Sequence, residues 1–214
     1  MAAIASKDLL EQLNWRYAVK QFDPSRKLSA EQWQTLQEAL VLTPTSFGLQ
    51  PWHAVVVTDQ ATKDKFPPLA WNQQQPKDAS HVVVIAARVG VNAGDVDALM
   101  ARTAEVRGVS VESLAGYAGM IKGFIPQVPN PDAWCAKQAY IACGTLLAAA
   151  ALIGVDACPM EGIDAAAVDQ LLGLRAKGYA TQHLVVLGFR HPDDKYQGLK
   201  KVRFPAERQI TFVK

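Results

Sequence analysis

Two local groups of cations lie at opposite ends of the chain: Arg16-Tyr17-Ala18-Val19-Lys20 near the start and Lys200-Lys201-Val202-Arg203 near the end. Taken singly, each is an ordinary solvated surface. If a fold brings Arg16, Lys20, Lys201 and Arg203 together, they make a site for a phosphate monoester, gripped by bidentate guanidinium and point-charge ammonium groups. A third stretch, Thr43 to His53, joins a helix-like segment to the apolar run Ala54-Val55-Val56-Val57. Pro44 and Pro51 fix their own φ and push Thr43 and Gln50 toward extended geometry, so this loop is stiff. It reads either as a plain helix-to-strand connection or as a turn presenting backbone N–H groups to a ligand. A fourth stretch, Cys158-Pro159-Met160-Glu161-Gly162-Ile163-Asp164, runs from a strand to a helix N-terminus through a glycine. It is either a routine turn or a place where N–H groups meet an acceptor atom on a ring-shaped ligand.

Other chemistry has little support. No G-x-S-x-G, Walker A or G-x-G-x-x-G pattern occurs, so acyl transfer, P-loop chemistry and a Rossmann dinucleotide site lack a motif. His53, His81 and His183 are each placed at a strand start and His191 follows a strand; none has metal spacing, and all four read as structural. Cys135, Cys143 and Cys158 also lack metal spacing and are expected to be buried free thiols in a reducing cytoplasm. A net charge of +2 on 214 residues gives no nucleic-acid footprint. The N-terminus carries no basic segment followed by an apolar one, so no export signal is expected.

The elements that must position these residues follow from capping and periodicity. Ser6 is placed to cap a helix from Lys7 to Trp15, with Leu9, Leu10 and Leu13 on one face. Ser29-Ala30-Glu31-Gln32 is a capping-box pattern ahead of Trp33, Leu36 and Leu40. Strands are expected at His53–Thr58, His81–Ala87, Val155–Met160 and Thr181–Phe189, with irregular chain over Lys63–Gln75. Helices are expected at Asp95–Arg107 and Ser110–Lys122, separated by Gly108. Asp132 is expected to cap a long helix reaching Ile153, and Asp164 a helix to Leu172 stopped by Gly173. Ala139–Val155 is apolar but short for a membrane span, and reads as a helix buried on all sides, partly at a subunit interface. Gln209–Val213 reads as an edge or swapped strand. Helices alternate with strands without regular βαβ spacing, which predicts a single α+β domain over 1–214 with a mixed sheet flanked by helices.

In this order the motifs resemble the FMN-dependent nitroreductase family, particularly oxygen-insensitive NAD(P)H nitroreductases related to dihydropteridine and quinone reductases. The similarity runs nearly end to end: Arg16 to Asp23, Pro44 to Trp52, Asp78 to His81, Ala136 to Tyr140, Pro159 to Asp164, Lys177 to Tyr179 and Lys201 to Pro205. It implies an intertwined homodimer with FMN at the interface, NAD(P)H as donor and a small aromatic or quinone acceptor. Hydride transfer through flavin N5 would follow a ping-pong cycle, which accounts for the thin acid–base inventory.

By position, Arg16, Lys201 and Arg203 would hold the phosphate, with Tyr17 and Ala18 beside them. Lys20 would sit where negative charge accumulates on reduction. Pro44, Thr45 and Ser46 would come from the partner, and the loop at Gly48 would meet the flavin by backbone. Asn72 would bond the ring, and the Glu161–Gly162 backbone would face N5. Phe124, with Phe47 and Trp71, would stack on the acceptor. Three departures stand out: Ala18 replaces a frequent serine, Gly48 a frequent asparagine, and Gln75 a lysine that in some relatives binds nicotinamide nucleotide or substrate. A flavin-binding or flavin-sequestering protein with negligible turnover would carry the same motifs, and nicotinamide oxidation separates the two.

Overall fold

The computed structural model describes residues 3–213. Its centre is a four-stranded sheet of β1 (Trp52–Val57), β2 (His81–Arg88), β3 (Asp156–Met160) and β4 (Tyr179–Gly188), in the order β1-β2-β4-β3. All three pairings are antiparallel, with Val56 opposite Val83, Val84 opposite Leu184 and Pro159 opposite Val185. The parallel contact of a mixed sheet is an isolated bridge between Ala18 and Ala157. β2 is apolar without alternation because both of its faces are covered. Val83, Ile85 and Ala87 join one core with Leu146 and Ala150, while Val82, Val84 and Ala86 join a second with Phe22 and Phe66.

The helices are α1 (Ser6–Trp15), α2 (Ala30–Val41), α6 (Ala93–Arg107), α7 (Ala115–Phe124), α8 (Pro131–Leu152) and α9 (Ala165–Leu172), with three short turns α3 (Gln60–Lys63), α4 (Phe66–Leu69) and α5 (Gln75–Asp78). Ser29 and Gln32 form the expected capping box. Gly108 and Gly173 end α6 and α9 at φ values of 64° each, the left-handed conformation that glycine adopts without a Cβ penalty. Asp164 caps α9 by accepting from Ala167 N at 3.0 Å.

Several expectations are corrected. α8 is capped by Asn130, whose Oδ1 accepts from Ala133 N at 3.0 Å; Asp132 lies in the first turn and accepts from Gly90 N at 2.8 Å. Both residue types cap well, and the chain's turn at Pro131 selects the earlier one. Ser6 is the first helical residue of α1 and Ala5 the cap, with no side-chain bond. α6 begins at the Asn92 capping box, three residues before Asp95. Pro67 and Pro68 sit in the first turn of α4, where a missing N–H costs no helical bond, so Lys63–Gln75 is partly helical. Gln50, before Pro51, has φ 47° rather than extended geometry, held by Thr45 Oγ1 on its N–H and Val41 O on its side chain. His183 lies inside β4, not at its start. Gln209–Val213 forms no strand; the last element is α10 (Ala206–Gln209), and the segment around it is exposed.

α8 is long and apolar enough to span a membrane. Here it packs on the sheet through Ala139, Ala142, Leu146 and Ala150. It is not covered on every side: Tyr140 and Ile141 are each 43% exposed. The three cysteines are buried and free. His81 stacks on Trp33 at 4.8 Å, a packing role.

Candidate functional site

The start and end of the chain meet at one cavity of about 620 Å³, whose wall includes Arg16, Tyr17, Ala18, Pro159, Lys201 and Arg203. Arg16 is the C-cap residue of α1, its N–H bonded to Gln12 O at 3.0 Å, and the Ala18–Ala157 bridge lays the following residues beside β3. Lys201 Nζ donates to the Arg16 carbonyl, which ties the tail to this strand across 185 positions. Burial, then the neighbouring charge of Arg203, lowers the Arg16 pKa, and burial followed by Arg16 and Arg203 lowers that of Lys201. Among the described residues, no ion pair reaches Arg16, Lys20, Lys201 or Arg203. Arg16 Nε is buried without a hydrogen-bond partner, and the buried Tyr17 hydroxyl makes no well-aligned bond but faces the Asp194 carboxylate. Converging cations with unspent donors and no carboxylate are the donor set for a dianionic phosphate. The residues fit the group that the resemblance implies.

Arg190 closes the floor of this region. Its guanidinium lies 4.2 Å from the Trp15 ring centroid and 4.6 Å from that of Tyr17, and it is bonded to the buried Asp156. Asp156 takes the Arg190 charge, so Arg190 adds little free cation to the cavity.

The turn after β3 forms a second group. The Tyr140 hydroxyl donates to Glu161 Oε1 at 2.8 Å, and burial with that bond pushes the Tyr140 pKa up to about 12. Trp71 and Asn72 both adopt left-handed backbone, φ 52° and 59°, and this places the Trp71 indole over Gly162. Leu69 O accepts Asp164 N at 2.7 Å, fixing the two loops to each other. Gln75 is buried and its amide faces Gln73 Oε1 at 3.5 Å.

The Pro44–Gly48 loop lies elsewhere. Ser46 N donates to Gln138 Oε1 at 2.9 Å and Gly48 N to Thr45 O at 2.9 Å, so these N–H groups are already spent within the chain. Phe47 has φ 58° and packs edge-on against Phe124 with centroids 5.0 Å apart; Trp134 completes this aromatic group. Tyr117 OH holds the Phe47 carbonyl at 3.1 Å.

The structure therefore unites Arg16, Tyr17, Ala18, Lys201 and Arg203 at one cavity, joins Glu161 and Gly162 with Trp71, and joins Phe47 with Phe124. It keeps Lys20, Pro44, Thr45, Ser46, Gly48 and Asn72 off the wall of that cavity; Lys20 is exposed on the bend that follows the Ala18 bridge. Sequence reasoning missed Tyr140, Asp156, Arg190 and Asp194. Each works through a partner distant in sequence, and none carries a local signal.

Comparison with known proteins bears on the whole chain. The model of the Nitroreductase family matches residues 13–189. An oxygen-insensitive NAD(P)H nitroreductase of Salmonella typhimurium is 34% identical over 212 residues, covering 92% of this chain and 96% of the relative. Among solved structures, a nitroreductase-like protein of Streptococcus mutans superposes with a TM-score of 0.85 at 20% identity, covering 98% of this chain and 100% of the other. A protein of Exiguobacterium sibiricum described as a nitroreductase, solved in complex with FMN, gives a TM-score of 0.80 at 21% identity, covering 100% and 99%. At those identities the two structures establish the fold.

Proposed function

The chain belongs to the nitroreductase family, and on that premise we propose that it is a cytoplasmic, homodimeric, FMN-dependent NAD(P)H oxidoreductase that reduces nitroaromatics, quinones or related acceptors. The observation that carries this reading is the acid-free cation cluster at the 620 Å³ cavity, with Arg16 Nε buried and unpartnered. The names and ligands of the relatives support it: the Salmonella relative is an NAD(P)H nitroreductase, and the Exiguobacterium neighbour holds FMN.

When bound, FMN supplies two-electron hydride chemistry at N5, accepting from the nicotinamide and passing on to the acceptor. The chain's own residues bind, orient and charge-balance. Arg16, Lys201 and Arg203 would hold the phosphate, Arg16 through its unspent Nε–H. Lys20 would contribute to binding and set a fixed positive charge at the pyrimidine edge, stabilising the negative charge that gathers there on reduction. The Glu161–Gly162 backbone would face the reactive edge of the ring, while the Glu161 carboxylate accepts from the Tyr140 hydroxyl. Asn72 would bond the ring, while Trp71, Phe47 and Phe124 would offer aromatic faces to the acceptor.

Apolar surface supports the dimer. Leu10 on α1 is 59% exposed, and in the tail Val202, Phe204 and Phe212 are 84%, 59% and 83% exposed. Together with Tyr140 and Ile141 on α8 they form uncovered faces of the kind a second copy buries. That copy would also bring its Pro44–Gly48 loop to the cofactor.

The test is a visible spectrum of the purified protein without oxygen, before and after NADH or NADPH. Flavin bands that bleach, then return with a nitroaromatic or quinone, support the reading. A colourless protein that takes up no added FMN overturns it, and flavin that no nicotinamide bleaches makes the protein a binder. Light scattering is expected to give twice 23.2 kDa.

A further inference from the structure

We propose that Asp194 is a positioning residue for Lys20, acting by holding the Lys20 peptide group; the inference rests on the reading of Lys20 given above. Asp194 is only 2% exposed. Its Oδ2 accepts the backbone N–H groups of Lys20 at 2.8 Å and Gln21 at 3.1 Å, and its Oδ1 accepts that of Tyr196 at 2.9 Å. Lys20 and Gln21 lie in a bend outside any helix or strand, so no ladder neighbour offers these two donors an alternative. Asp194 is absent from the cavity wall, as is Lys20, and it touches wall residues through the Tyr196 N–H it accepts and the Tyr17 hydroxyl beside it.

The arrangement suits a fixed base for a long side chain. Val19 is fully buried and Phe22 nearly so, while Gln21 O accepts His191 N at 2.9 Å. The chain around Lys20 is thus pinned on both sides, and the carboxylate sets the direction of the peptide between them. Lys20 itself is exposed, and its ammonium reaches a defined point only if its Cα does not move. An ionised acceptor shared by two successive N–H groups is charge-assisted and held away from water, where such bonds are strongest. Burial pushes the Asp194 carboxyl pKa up, but the N–H groups of Tyr196, Lys20 and Gln21, together with the Tyr17 hydroxyl, outweigh it, leaving the carboxyl below its ordinary value. Asp194 is therefore ionised throughout the neutral range. Its partner Lys20 lies 174 positions away, so the contact exists only in the folded chain.

The test is a double-mutant cycle read by FMN affinity on the apo-protein, from quenching of flavin fluorescence, with Asp194→Asn and Lys20→Met alone and together. Asp194→Asn is expected to weaken FMN about tenfold when Lys20 is present, the scale of a lost charge-assisted bond. With Lys20→Met already made, it is expected to weaken FMN by less than about twofold. Equal weakening in both backgrounds, or no weakening in either, would overturn the proposal, since a general structural role or an effect through Tyr17, Lys201 or Arg203 would persist without Lys20. If Asp194→Asn does not fold by circular dichroism, Asp194→Glu keeps the charge but moves it by one methylene, and the same two-background comparison decides. A Lys20→Met protein with wild-type affinity would overturn the reading of Lys20 itself, a result distinct from an additive cycle.

Discussion

The indole of Trp71 lies so close to Gly162 that a Cβ added there would come within 2.8 Å of Trp71 Cε3 and 2.9 Å of Cζ3. Glycine at 162 is thus required by the side chain above it, because its φ is not in the left-handed range. Gly162→Ala is expected to displace the indole at a cost of about 1 kcal/mol, the lower end of overpacking penalties, because Trp71 is 75% exposed and has solvent to move into. FMN affinity should fall by roughly fivefold. Trp71→Ala in the Gly162→Ala background should recover it, measured by fluorescence quenching. A double variant as weak as the single one would mean the indole is not the obstacle.

Arg16 has an unspent guanidinium donor at the wall of the cationic cavity. Arg16→Ala is expected to weaken FMN by roughly 10- to 100-fold, the range of a lost bond between charged groups. Riboflavin, which lacks the phosphate, should bind the variant and the wild type alike. Parallel titrations with the two flavins check this, and equal losses for both would move Arg16 away from the phosphate.

Asp156 and Arg190 form a buried pair, their side chains 5% and 17% exposed and their closest atoms 2.5 Å apart. Asp156→Ala strands the Arg190 charge between two aromatic rings and is expected to cost about 3–5 kcal/mol in urea unfolding. Asp156→Ala combined with Arg190→Met should regain a large part of that loss, because no unpaired charge remains. Without such recovery, the cost would lie in lost packing and in the Arg190 backbone N–H that Asp156 accepts at 2.8 Å, rather than in the orphaned ion.

His183 is 1% exposed, both ring nitrogens are buried and unpartnered, and burial lowers its pKa to about 4. The native state binds fewer protons here than the unfolded chain, whose histidine titrates near 6.5. Stability therefore carries no penalty from this group above the unfolded value, declines as pH falls from about 6.5 to about 4, and is flat below. The loss is about 3 kcal/mol across that window. Urea midpoints between pH 4 and 7 should show this decline in the wild type and much less of it in His183→Gln.

Much of the local structure was readable because its causes are local. The Ser29 capping box, the Asp164 cap, the glycine stops at 108 and 173, and the unbroken apolar run of β2 each depend on residues within a turn of one another. The ordered motifs from Arg16 to Arg203 also sufficed to point to the family, since cofactor handling restricts residue type position by position. Choices between neighbours were less legible: Asn130 and Asp132 are both good caps, and the direction of the chain into α8 decided between them. The Gln209–Val213 pattern suits a strand, but a strand needs a partner edge, and none among the described residues lies beside it.

What only the tertiary structure decided is the set of long-range polar contacts: Asp156 with Arg190, Tyr140 with Glu161, Asp194 with Lys20, and Lys201 with the Arg16 carbonyl. The sequence by itself determined the four strands and the longer helices, and that cations stand at both ends. It held no local trace of these pairings, because a buried carboxylate or ammonium is tolerated only where the fold delivers its partner, and that partner is named by how distant segments cross.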